Sequence, residues 1–296
     1  MKYPTRTFLF LYSEVMPYTL ACLRTLHDLH DVDIHVVRWD IKKLTPYRIQ
    51  SQKGITFYER SSADVLFMKK LLDDLKPRLV YVVGRMDRDY LKVAVYARRK
   101  KIITISGWDN QWNGSLRNYL AIAGARWLYK PYFDFIMVAG ILQYDYVRRI
   151  GYPKENIIFD QYSCDFELFN NAFKIRQAND FKHEKKIIFV GRLTEVKGVK
   201  LLVSVFNEIK KSFPEWKLIL IGNGHLKQSI QQDEQIKIFD FSDQVSMASM
   251  LTQVSFFCLP SYKEPWGVVI HEMAAAGLPL ITSDVCGAST RFLKDG

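Results

Sequence analysis

Short apolar runs that end at a turn residue recur along the whole chain, and segments with helical spacing separate most of them. TFLFLY (7–12), DIHVVRW (33–39), RLVYVVG (78–84), KIITISGW (101–108) and DFIMVAG (134–140) lie in the first half, with a weaker run, GITFYE, at 54–59. KIIFVG (186–191), KLILIG (217–222), IKIFDF (236–241), VSFFCLP (254–260) and LPLITS (278–283) lie in the second. A strand that is apolar throughout, without alternation, has both faces covered, which is the condition of a parallel sheet between layers of helices. The expected fold class is therefore α/β, with two Rossmann-like doubly wound domains facing a cleft.

Helices are expected at 17–30, 63–75, 87–100, 115–132 and 142–150 in the first domain. In 63–75 the apolar residues Val65, Leu66, Met68, Leu71 and Leu72 follow a 3.6-residue period. The domain junction is placed at Asp165, giving an N-terminal domain at 1–165 and a C-terminal domain at 166–296. The polar stretch 170–186 reads as an exposed link between them.

With 296 residues the chain is long enough for two such cores. No run of 18 or more apolar residues occurs, and the apolar stretch near the N-terminus is too short for a signal peptide. The expected location is cytoplasmic. Cys22, Cys164, Cys258 and Cys286 share no metal-binding or disulfide spacing. Most of the net charge of +11 belongs to residues 1–165, with 26 Lys and Arg against 17 Asp and Glu. A basic half can serve nucleic acid, an anionic membrane surface or a phosphorylated acceptor. No nucleic-acid motif accompanies it, so nucleic acid is not expected as a partner. The run ARRKK (97–101) and the basic, aromatic helix 115–132 are the candidates for peripheral contact with an anionic membrane on its inner face. Each can equally be an ordinary solvated or packed helix.

The stretch SYKEPWGVVIHEMAAAG (261–277) concentrates the chemistry. It follows an apolar run and reads as loop then helix, with Glu264, Pro265, Trp266 and Gly267 exposed at the carboxyl end of a strand. That edge is where open α/β sheets take ligands. The helix start favours an anion, and Gly267 permits close approach. Glu264 before the turn and Glu272 within the helix suit a ligand that is both phosphorylated and rich in hydroxyls, such as a sugar nucleotide. Taken alone, the two glutamates could be a loop residue and a helix-surface residue.

Two further turns carry related chemistry. Gly191 and Arg192 end one strand and Lys197 opens the next helix, so two cations stand beside a helix N-terminus and can neutralise a diphosphate. Gly222 and Gly224 end another strand. In the first half, Asp109, Asn110 and Gln111 lie between Trp108 and Trp112, a composition that suits carbohydrate or, equally, interdomain packing.

FVGRLTEVKGVKLLVSVF (189–206), IGNGHLK (221–227) and EPWGVVIHEMAAAGLPLITSD (264–284), in this order, resemble the donor-binding half of the retaining glycosyltransferase family 4, which has the GT-B fold. The resemblance implies an enzyme that moves a sugar from a nucleotide-diphosphate sugar to a glycan or lipid-linked acceptor with retention of configuration. It implies that Arg192 and Lys197 hold the diphosphate and stabilise the leaving group, with Gly191, Gly222 and Gly224 lining the nucleotide. Phe239 to Phe241 would contact the base and Glu272 the ribose hydroxyls. Glu264 and the backbone of Pro265, Trp266 and Gly267 would hold sugar hydroxyls and phosphate. Relatives place a histidine near the position of Asp109, which makes Asp109 a candidate for proton handling. No cofactor and no metal is expected, because the cations and helix ends supply the positive field. Bacterial surface polysaccharide synthesis, including lipopolysaccharide, is the implied setting. The family continues beyond RFLKDG (291–296), which implies a shortened second domain and an alternative reading, a non-catalytic nucleotide-sugar or glycan-binding remnant. An epimerase on the same fold is disfavoured by the EPWGVVIHE block.

Overall fold

The computed structural model describes residues 6–40, 51–180, 184–240 and 243–294. The chain divides into two compact units, Met1–Tyr162 and Ser163–Gly296.

In chain order the first unit contains β1 (Arg6–Tyr12), α1 (Pro17–His30), β2 (Val32–Arg38), β3 (Ile55–Glu59), α2 (Val65–Leu75), β4 (Leu79–Val82) and α3 (Arg88–Arg99). These are followed by β5 (Ile103–Trp108), α4 (Leu116–Ala123), α5 (Ala125–Leu128), β6 (Phe135–Val138), α6 (Ile141–Arg149) and β7 (Ile157–Ile158). The sheet has the order β3-β2-β1-β4-β5-β6-β7, and all its pairings are parallel. Starting in the middle and growing outwards on both sides, this order puts helices on both faces. Two separate cores result. Leu9, Leu11, Val80, Val82, Met68 and Val93 lie in one, and Phe10, Ile34, Val36 and Leu20 in the other.

Local chemistry sets the helix ends. Pro17 opens α1, where a missing N–H costs nothing. The Asp64 carboxylate accepts from Phe67 N at 2.7 Å to cap α2, and Asp87 caps α3 by accepting from Asp89 N. Arg98 and Arg99 occupy the last turn of α3, where the helix dipole favours cations.

The expected helix over 115–132 is two helices, α4 and α5, which meet at Gly124. A side chain at Gly124 would collide with Leu128 Cδ1 at 2.7 Å. The tryptophans of the 108–112 loop pack within the first unit. Trp108 is buried edge-on against Tyr129 and Tyr146, and Trp112 meets Tyr119 and Tyr146 and carries the Arg149 guanidinium over its ring. The Trp108 face is therefore already covered by protein.

The second unit contains α7 (Phe166–Ala178), β8 (Lys186–Val190), α8 (Val199–Ser212), β9 (Lys217–Ile221), β10 (Ile236–Phe239), α9 (Gln244–Leu251), β11 (Phe256–Leu259), α10 (Val268–Ala275), β12 (Leu280–Thr282) and α11 (Ser289–Phe292). Its parallel sheet has the order β10-β9-β8-β11-β12. Phe189 of β8, Phe257 of β11 and Phe206 of α8 are fully buried.

The stretch read as an exposed link from residue 170 onwards is largely helix. α7 buries Phe169, Ala172 and Arg176, and the Arg176 guanidinium donates to Leu251 O at 3.0 Å and Val254 O at 2.7 Å. Its polar composition reflects the solvent side of a helix whose other side closes the core. Among the described residues no helix is long and apolar enough to cross a membrane.

Candidate functional site

Because all five strands of the second sheet run parallel, the turns after them lie along one edge, and the sequence-predicted residues of this unit that are described lie at it or, like Glu272, in the helix that starts there. The turns are joined by backbone hydrogen bonds. Gly191 N donates to Ile221 O at 3.0 Å, Leu193 N to Asn223 O at 2.9 Å, and Gly222 N to Phe239 O at 2.9 Å. Gly222 has φ of 140°, and a Cβ there would stand 2.1 Å from Gly191 O. A Cβ on Gly224 would stand 2.2 Å from Leu193 O. The two glycines are thus needed for one loop to lie on another, a reason internal to the protein that differs from the expected close approach of a nucleotide. Gly191 differs from them, since a Cβ there meets nothing nearer than the Phe189 ring at 3.4 Å. Arg192, next in the chain, is exposed.

A single helical turn at Glu195–Lys197 follows, and Gly198, with φ of 69°, turns the chain into α8. A Cβ on Gly198 would lie 1.9 Å from Pro260 O, so this turn rests directly on the end of β11. Tyr262 N donates to Val196 O at 2.8 Å and fixes the two loops together. Lys197 Nζ then reaches the Glu264 carboxylate. Both side chains are largely out of solvent, at 14% and 11% exposure. Two residues expected to take separate parts of a ligand are paired with each other.

The loop after β11 is held from its far side by the loop after β12. Gly287 N donates to Glu264 O at 3.2 Å, Ala288 N to Trp266 O at 2.9 Å, and Ser283 Oγ to Ser261 O at 2.5 Å. Trp266, expected at the surface, is 5% exposed, and its indole N–H donates to His271 Nε2 at 2.7 Å. Glu264 is likewise not exposed. The physical reason is that a large aromatic ring next to a buried helix gains more from packing than from solvent. The side chain of Trp266 anchors the loop, which leaves the backbone of Pro265, Trp266 and Gly267 at the helix start. Gly267, with φ of 92°, forms the N-cap of α10. His271 packs edge-on against Phe292 with ring centroids 4.4 Å apart, and burial, aided by Arg291, pushes it down to about 4.

Glu272 is 7% exposed within α10, and its Oε1 accepts from Gln244 Nε2 at 2.8 Å. Burial pushes its carboxyl up to about 7, an effect that the Gln244 hydrogen bond partly offsets. Gln244 is the first residue of α9 and has no signal in the sequence that would mark it as a partner of Glu272. At the end of β10, Phe239 is 42% exposed. Phe241 lies outside the described residues.

Asp109 belongs to the first unit, just beyond β5. The Tyr162 hydroxyl donates to its Oδ2 at 3.4 Å, and Gln143 Nε2 donates to its backbone carbonyl at 3.3 Å. Although Asp109 presents exposed surface, surrounding protein raises its carboxyl above the ordinary range. Tyr162 packs edge-on against Tyr18, and Tyr12 stacks on Tyr81 with centroids 5.5 Å apart. This group of tyrosines, scattered in the sequence, gathers at the carboxyl edge of the first sheet.

Residues 171–296 match the family described as Glycosyl transferases group 1. An uncharacterized glycosyltransferase of Haemophilus influenzae is 32% identical over 104 residues, which is 33% of this chain and 29% of that protein. A phosphatidyl-myo-inositol mannosyltransferase of Mycobacterium leprae is 30% identical over 118 residues, 38% of this chain and 31% of that protein. The match thus spans about a third of the length of these curated relatives. Among solved structures, Anabaena HepE in complex with UDP and glucose superposes with a TM-score of 0.69 at 14% identity, covering 98% of this chain and 84% of that one. WaaG, a glycosyltransferase involved in lipopolysaccharide biosynthesis, gives 0.61 at 14% identity, covering 97% and 83%. At such identities the likeness concerns the fold, and the α/β fold of this chain, with its two parallel sheets, is that of the GT-B glycosyltransferases.

Proposed function

We propose that this protein is a retaining glycosyltransferase of family 4, moving a sugar from a nucleotide-diphosphate sugar to a glycan or lipid-linked acceptor. The observation that carries the reading is the convergence of Arg192, the Lys197–Glu264 pair and the start of α10 on one sheet edge. Arg192 and Lys197 bring positive charge to the place where the donor's diphosphate would sit, and they stabilise it as the bond to the sugar breaks. Glu264 holds Lys197 in position and takes sugar hydroxyls with its remaining acceptor capacity. The first N–H groups of α10 face the phosphate. Glu272 takes the ribose hydroxyls in place of Gln244, and Phe239 lies against the base. Asp109 handles the acceptor's proton, for which a carboxyl raised above its ordinary range is suited. Under this reading the donor diphosphate needs no metal, and the protein works in bacterial surface polysaccharide synthesis on the cytoplasmic side.

The test is a thermal-shift series with UDP-, GDP- and ADP-sugars in the absence of metal, repeated with Glu272→Ala. One nucleotide class should raise the melting temperature in a concentration-dependent way and lose that effect in the variant. Transfer to an acceptor should fall at least tenfold when Arg192 and Lys197 are both replaced by Gln, the loss expected from removing charged contacts to a developing anion. Stabilisation without turnover would replace the transferase reading with that of a nucleotide-sugar-binding protein. Absence of any shift would sink the donor site.

A further inference from the structure

Arginines of the first unit that withdraw from solvent are paired with carboxylates. Arg60 donates to Asp87 at 2.8 Å and to Asp89 at 2.7 Å, Arg98 to Asp134 at 2.9 Å, and Arg38 to Glu59. Arg85 differs. Its guanidinium carbon lies 4.6 Å from the centre of the Tyr129 ring, and its Nε is buried without a hydrogen-bond partner. Among the described residues no carboxylate or carbonyl pairs with it. Asp87 and Asp89, close in sequence, are held by Arg60, and Asp87 also caps α3. An aromatic ring attracts a cation without using up its N–H donors, so stacking fixes the Arg85 guanidinium and leaves its donors to another acceptor.

The support beneath it is anchored in the core. Tyr129 meets the buried Trp108 edge-on, with ring centroids 5.0 Å apart. Arg85 is the third residue after β4 and Asp109 the first after β5, and these strands are parallel neighbours, so both residues stand at the carboxyl edge of the first sheet. Val83 N donates to Leu11 O at 3.0 Å and Gly84 N to Val82 O at 2.9 Å, which fixes the turn that carries Arg85. Gly84 has φ of 66°, and a Cβ there would meet no heavy atom within 4 Å, so the space beside the turn is open. A cation on an aromatic shelf, next to open space and on the same edge as Asp109, is placed for the anionic part of a substrate.

We propose that Arg85 binds an oxyanion carried by the acceptor, a phosphate or a sugar carboxylate, and so selects anionic acceptors over neutral ones. The inference rests on the transferase reading, in which the accepting hydroxyl lies by Asp109. A planar guanidinium presents paired N–H groups that match two oxygens of a phosphate or of a carboxylate alike. The sequence gives no sign of this role, since Arg85 stands as one charge among several in RMDRD (85–89). Only the pairing of its neighbours with Arg60 and the approach of Tyr129 set it apart.

The test is isothermal titration of the full chain with glucose 1-phosphate, glucuronic acid and glucose. It is run with Arg192→Gln and Lys197→Gln in place, so that the proposed donor diphosphate site does not take up the phosphate. At least one of the two anions should bind about tenfold more tightly than glucose, the gain expected of a charge-assisted pair. Whichever anion responds names the group that the acceptor carries. Arg85→Gln should abolish the difference from glucose, and Arg85→Lys, which keeps the cation without the fork, should retain only part of it. If Arg85→Gln does not fold, Arg85→Lys alone decides. Failure of both anions to bind better than glucose would overturn the proposal. So would a preference unmoved by either substitution, which would assign the anion to another basic group. An Arg85-dependent preference for anions, found in a protein that no nucleotide sugar stabilises, would keep this site and remove the transferase reading. Transfer from a nucleotide sugar without any such preference would do the reverse.

Discussion

Burial shifts two neighbouring residues of α10 in opposite directions, one up and one down, and both bear on the pH dependence of folding. Glu272 has its carboxyl pushed up by burial to about 7, so the folded state holds a proton that the unfolded chain releases near 4.5. Stability from this group is full below about 4.5 and is lost as pH rises through 7, by about 3 kcal/mol. His271 is pushed down to about 4, so it remains neutral in the fold while the unfolded chain takes a proton below about 6.5. Stability therefore rises between about pH 4 and 6.5, again by about 3 kcal/mol. In the wild type the two slopes largely cancel. Glu272→Gln, which keeps a partner for Gln244 after reorientation of the amide, removes one of them. Urea midpoints of this variant should rise from pH 4.5 to 6.5, whereas wild-type midpoints should stay nearly level across that window and then decline towards pH 8. A similar contrast separates two glycines of the same edge. Gly222→Ala forces a Cβ to within 2.1 Å of Gly191 O at φ of 140° and should cost about 2 kcal/mol or more. Gly191→Ala meets only the Phe189 ring at ordinary distance and should cost under about 1 kcal/mol in the same urea titration.

At the scale of elements, α7 determines whether the second unit closes. Its Arg176 is 2% exposed and satisfies the carbonyls of Leu251 and Val254, which α9 and its following turn leave without helical partners. Arg176→Met keeps the length and apolar stem but abandons both acceptors. The expected cost is about 2–4 kcal/mol, read as a lower urea midpoint. A polar stretch betrays no such role in one dimension. The residues that do the packing, Phe169, Ala172 and Arg176, recur every three or four positions among Asn, Lys and Gln, a thin stripe for a helix on the edge of a core. α4 shows the converse. A helix was legible there in the sequence, but its mixed aromatic and basic composition does not say which face points inwards, and the face that does so holds Asn118.

At the scale of the whole molecule, the order of apolar runs already implied two parallel sheets, since strands covered on both faces leave a composition that few other architectures share. The ends of α1 and α3 were also written locally, in Pro17 and in Asp87 with its cationic last turn. The candidate site was legible as a set of turns: Arg192, Lys197, Glu264, Gly267 and Glu272 all reach one edge because parallel strands bring their following loops together. What the turns do to one another was decided only by tertiary structure. Lys197 meets Glu264, Gln244 meets Glu272, and Trp266 turns inwards to His271 across contacts between loops and helices that no local spacing encodes. Backbone preference and hydrophobic period act within a few residues and so can be read along the chain. Desolvation and pairing act through space, and they set which carboxylate is paired, which is protonated and which face of a helix looks out.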